Sequence, residues 1–132
     1  MKLASIILLL IASGASTAHA GDVVVIVNPA SKPISKQQLA DLYLGRGVGW
    51  IPFDQSDDSA IYTEFYKKAT GHDVAQIKAV WSQILFTGRG LLPKQLHDSE
   101  AVKKAVAANP KAVGYIEKSA VDASVKVALA LD

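Results

Sequence analysis

The chain has 132 residues, 14 Lys plus Arg against 12 Asp plus Glu, a formal net charge of +2 and no cysteine. The missing thiols exclude a disulfide framework, a zinc–thiolate or iron–sulfur site and a thiol nucleophile. The balanced charge disfavours a protein that works by neutralising nucleic-acid phosphates, and a 50% hydrophobic composition disfavours a disordered chain.

Met1-Lys2 opens the chain with positive charge. Leu3 to Ala12 is nearly all apolar, and small residues then lead to Ala18-His19-Ala20, an A-x-A cleavage pattern. Residues 1–20 read as a signal peptide. Their apolar run of about ten residues is short of the roughly twenty that cross a bilayer. The mature chain, residues 21–132, is expected in an exported compartment, most simply a bacterial periplasm. No cysteine lies near the cleavage site, so a lipid anchor on such a thiol is not expected. A chain of this size suits one hydrophobic core rather than two.

Val23 to Val27 is a β-branched run ended by Asn28-Pro29, the pattern of a strand buried on both faces. Ser35 and Gln38 have capping-box spacing, and the helix they open carries Leu39, Leu42 and Tyr43 before stopping at Gly45. Trp50-Ile51-Pro52-Phe53 predicts a short strand, with Pro52 arguing for an edge or a strand end. After the polar run Gln55 to Ser59, a helix with Ile61, Tyr62, Phe65, Tyr66 and Ala69 on one face runs to Gly71. Asp73 and Gln76 cap a third helix bearing Val74, Ile77, Val80, Trp81, Ile84 and Leu85, closed by Gly88. Gly88 to His97 reads as loop. Asp98 or Ser99 caps a fourth helix through Val102, Ala105 and Val106, which Asn109-Pro110 ends. Ala112 to Ile116 predicts another buried strand, in which Gly114 implies a close backbone approach. Val125, Val127, Leu129 and Leu131 alternate like a half-exposed last strand. The order β, α, β, α, α, α, β, β predicts an α/β fold with a sandwiched, mixed and partly parallel sheet.

Several of these segments, in this order, resemble a known family. Val25-Ile26-Val27-Asn28-Pro29, then Leu42-Tyr43-Leu44-Gly45 and Trp50, are similar to the "V-V-N-P … I-F-x-G-K-x-x-x-W" pattern of phosphate-type periplasmic solute-binding proteins of ABC transporters. Ile51-Pro52-Phe53 with Ser56 to Ser59 sits where that family has "I-V-P-V … R-S-D-G-S-G-T". Lys111 to Ile116 resembles its "P-G-A-I-G-Y-V". The resemblance runs from about Val23 to Leu131. It implies one α/β lobe of a two-lobed clamp, without the family's N-terminal portion and its first anion-binding loop.

The resemblance also implies where a ligand would sit. The family's phosphate-pairing Arg falls at Gln55, and the ligand-binding Ser falls at Ser59. The Gly and Thr that follow correspond to Ala60 and Ile61, and Asp58 replaces a Gly. A helix N-terminus favours anions, but two adjacent aspartates, Asp57 and Asp58, would repel one and satisfy that helix end themselves. Two readings of Ser56 to Ser59 therefore stand: a helix cap alone, or a weakened oxyanion site. On the second, Ser56, Asp57 and Ser59 are the candidate contacts. Phe86-Thr87-Gly88-Arg89-Gly90 adds Arg89 as a further candidate, against the reading of a glycine-terminated helix whose Arg binds carbonyls.

Arg46 reads as a surface charge. His72 and His97 are isolated, so no metal-ligand spacing and no catalytic triad is recognisable. No cofactor is implied and no enzymatic constellation is found. The expected role is non-catalytic: weak binding of phosphate or another small oxyanion, or presentation of the lobe to a membrane transporter or sensor. The alternative is a ligand-free interaction module that docks on a membrane sensor, a porin or a second copy of itself as a homo-oligomer.

Overall fold

The computed structural model describes residues 22–131, so the expected signal peptide lies outside the described residues. Its elements run β1 (Val23–Val27), α1 (Lys36–Tyr43), β2 (Ile51–Asp54), α2 (Ala60–Thr70), α3 (Val74–Thr87), β3 (Lys94–Gln95), α4 (Ser99–Ala107) and β4 (Ala112–Glu117). A 3-10 turn (Lys118–Ala120) then leads to β5 (Lys126–Leu131). The five strands form one sheet in the order β3-β2-β4-β1-β5. β2 is parallel to β3 and β4, while β1 is antiparallel to β4 and β5. The sheet is mixed and partly parallel, as the alternation of strands and helices predicted.

β1 is central, and all five of its residues are buried. Val23, Val25 and Val27 face a core built with α1, α2 and α3. Val24 and Ile26 face a smaller core built with α4, so the sheet divides the interior into two clusters where a single core was expected. A strand covered on both sides needs no polar alternation, which is why its sequence is a continuous apolar run. On the β4 side, a Cβ at Gly114 would lie 2.4 Å from Val102 Cγ1, so the glycine lets α4 settle onto the sheet.

The helix ends follow their capping residues. Ser35–Gln38 and Asp73–Gln76 each form a reciprocal capping box, and Asp98 caps α4. Gly71 and Gly88 close α2 and α3 with φ of 76° and 66°, a left-handed conformation that glycine adopts without Cβ strain.

Three expectations need correction. The stretch Gly88 to His97 is not all loop: Lys94–Gln95 pairs with Phe53 and Asp54. β2 is therefore not an edge strand. Pro52 is tolerated because it pairs with Val113 on one side, while β3 begins pairing only beyond it. The alternating apolar residues of β5 do not share a face. Val25 pairs with Leu129 and Ile26 with Val127, so Ala128 is an extra, bulged residue. The bulge sends Leu129 and Leu131 toward one core and Val125 toward the other. α3 fully buries only Ile77, while Val74, Val80 and Trp81 pack partly buried on the same core and Leu85 at its far end is 71% exposed.

Candidate functional site

A groove of about 460 Å³ opens where the N-termini of α2 and α4 approach one another. Gln55, Ser59, Ile61, Asp98, Ser99 and Glu117 are among its lining residues. Ser59 is the N-cap of α2. Its hydroxyl accepts from Tyr62 N at 3.3 Å and donates to the Ser56 carbonyl at 2.7 Å. The N–H groups of Ala60 and Ile61, the first two of the helix, have no acceptor within the helix and remain available to an anion.

Gln55 stands at the cationic position of the resembled motif and is buried. Its amide nitrogen donates to Ser99 Oγ and to the Tyr115 carbonyl, both at 2.9 Å. Both amide hydrogens are thereby used inside the protein. Ser99 in turn donates to Glu117, which holds a carboxylate at the groove. Asp98 accepts from Ala101 N at the start of α4. The groove thus offers a few backbone donors ringed by carboxylates.

The aspartates do not satisfy the end of α2, contrary to expectation, because Ser59 reaches it first. Asp58 accepts the Ser56 hydroxyl at 2.6 Å, and Asp57 pairs with Lys78 of α3 at 3.2 Å. Of the residues read as ligand contacts, Ser59 lines the groove. Ser56 and Asp57 are tied to neighbours beside it. Arg89 lines a different cleft, with Arg46 and His72. At the end of α3, the Gln83 and Ile84 carbonyls accept from the Thr87 hydroxyl at 3.0 and 3.4 Å.

Beneath the groove lies a group that the sequence reading passed over. Asp54, at the end of β2, is fully buried. It accepts the Tyr66 hydroxyl at 2.5 Å, the Tyr115 hydroxyl, and Gln55 N at 2.8 Å. Burial pushes its carboxyl up to about 6, against these three hydrogen bonds, and nearby Asp57 adds a smaller push in the same direction. Burial and then the Asp54 charge raise the Tyr66 and Tyr115 phenols well above their ordinary range, so both remain neutral donors. The rings form a cluster: Phe65 stacks on Tyr115 at 3.8 Å, and Trp81 meets Tyr66 edge-on at 5.3 Å. This cluster fixes the strand end from which Gln55 projects. A charged residue closing an otherwise apolar strand was the available signal in the sequence.

Among the described residues, no three His, Asp or Glu side chains are grouped to hold a metal ion. No described helix is long and apolar enough to cross a membrane.

The mixed sheet between helices gives the chain a fold found in solved ABC transporter binding proteins. Two solved structures resemble it: an ABC-type phosphate transport receptor from Vibrio cholerae (TM-score 0.60, 19% identity) and a candidate phosphate ABC transporter substrate-binding protein with bound phosphate from Clostridium perfringens (TM-score 0.60, 20% identity). Each match covers 80% of this chain but 45% and 44% of the other. The chain thus spans less than half the length of these receptors. No family model and no curated protein matches the sequence.

Proposed function

We propose that this protein is a non-catalytic, exported lobe that acts by presenting its surface to a transport or sensing partner. Its groove binds small oxyanions only weakly. The observation that carries this reading is the state of Gln55: a neutral side chain, buried and bonded to Ser99 and Tyr115. In the phosphate-type family that this chain resembles, the same position holds the Arg that pairs with the anion. A hydrogen bond to a charged partner contributes about 1.5–3 kcal/mol. Without it, the groove keeps backbone N–H donors, a helix-end contribution of about 0.3–1 kcal/mol, and the opposing field of Glu117 and Asp98.

Calorimetric titration with phosphate and with sulfate tests the reading. Dissociation constants of about 1 mM or weaker are expected, a binding free energy no more favourable than about −4 kcal/mol. Saturable binding near 1 μM that is lost in Ser59→Ala would overturn it, because the groove would then be a receptor site in its own right.

A further inference from the structure

The second cleft lies where the chain leaving α1 meets the chain leaving α3. Each exit has the same three residues, Gly45-Arg46-Gly47 and Gly88-Arg89-Gly90. The two turns touch backbone to backbone. A Cβ on Gly90 would lie 2.7 Å from the Gly45 carbonyl oxygen, and one on Gly45 would lie 2.3 Å from Ile84 Cδ1. Gly45 and Gly88 also have positive φ, 80° and 66°. Glycine is therefore required here to bring the turns together, and the residue carried by each turn is an arginine.

Both arginines line one cleft of about 500 Å³, together with His72 and an apolar wall of Leu44, Val80 and Ile84. Arg46 gives one Nη to Asp41 at 3.3 Å in an exposed pair, which leaves most of its five donors open. Arg46 and Arg89 bring two positive charges to the lining of one cleft, against the single carboxylate of Asp41 paired with Arg46. Beside the cleft, Phe86 and Leu85 are 92% and 71% exposed.

We propose that this cleft is a separate binding site for an oxyanion carried on an apolar body, such as an aryl or alkyl phosphate ester. The guanidinium forks of Arg46 and Arg89 grip the oxygens, and Leu44, Val80 and Ile84 receive the apolar part. The inference is independent of the α2 groove and assigns Arg89 away from it. The same headgroup chemistry exists in soluble esters and at an anionic phospholipid surface, so the test has an arm for each source.

In the first arm, the ¹⁵N-labelled protein is titrated with phenyl phosphate and, separately, with inorganic phosphate. Saturable amide shifts are expected at Gly45 to Gly47 and Gly88 to Gly90. Affinity read from the shifts of these two turns should fall about tenfold or more in Arg46→Gln/Arg89→Gln. Both arginines are exposed, so the double variant should keep the parent spectrum outside these turns. In the second arm, flotation compares phosphatidylcholine vesicles with and without phosphatidylglycerol. Binding that needs the anionic lipid and is lost in the double variant supports the proposal and assigns the lipid source. Inorganic phosphate binding as tightly as phenyl phosphate would remove the apolar part of the proposal. No response in either arm, or binding that survives the double substitution, overturns it.

Discussion

Asp54→Asn removes a carboxylate that the fold buries at the end of β2. In the native protein that carboxyl titrates at about 6, against an ordinary value of 3.8. Burial is the dominant cause, and the hydroxyls of Tyr115 and Tyr66 with Gln55 N recover only part of the lost hydration. The native state therefore holds the proton more tightly than the unfolded chain does. Stability from this group is fully present below about pH 4 and is lost as pH rises through about 6. A difference of about two pH units corresponds to roughly 3 kcal/mol. Urea unfolding followed by the fluorescence of Trp81, which packs on Tyr66, reads this directly. The stability difference, Asp54→Asn minus wild type, should grow by about 2–3 kcal/mol between about pH 4 and pH 7. Other carboxylates titrate in both proteins and cancel in the difference. A difference that stays flat, or that shrinks with rising pH, would refute the burial argument.

Two further outcomes follow from the packing. The buried Tyr62 hydroxyl has no hydrogen-bond partner among the described residues, so Tyr62→Phe should be neutral or raise stability by about 1 kcal/mol; a loss above that in urea unfolding would reveal a partner. Gly114→Ala would place a methyl 2.4 Å from Val102 Cγ1, on a β-branched residue with little rotamer freedom in its helix. A loss of about 1–3 kcal/mol is expected, and Val102→Ala in the same chain should restore part of it.

What the sequence disclosed was what local chemistry determines. Ser35 with Gln38 and Asp73 with Gln76 give two helix starts because both partners of each box lie within one turn. The apolar run of β1 announces its two buried faces, and Gly114 announces the approach of α4. Features set at long range were not legible. Lys94–Gln95 is too short for any pattern, and becomes a strand because β2 lies alongside. The bulge at Ala128 arises from pairing with β1, and no alternation in β5 forecasts it. At the site, the Arg-to-Gln difference was readable from the family resemblance. The consequence was not, since Gln55 meets Ser99 and Tyr115 across 44 and 60 residues of chain. The cleft shared by Arg46 and Arg89 was hidden for the same reason, although the repeated Gly-Arg-Gly was in view.

On the proposed function, a neutral, internally bonded Gln55 keeps the α2 groove from holding an oxyanion firmly. The most direct test is phosphate calorimetry on the natural chain and on Gln55→Arg under identical conditions. Affinity of about 1 mM or weaker is expected for the natural chain, with a gain of about tenfold or more for the variant, the worth of a charge-assisted pair. A natural chain that already binds near 1 μM, or a folded Gln55→Arg protein with no gain, would contradict it.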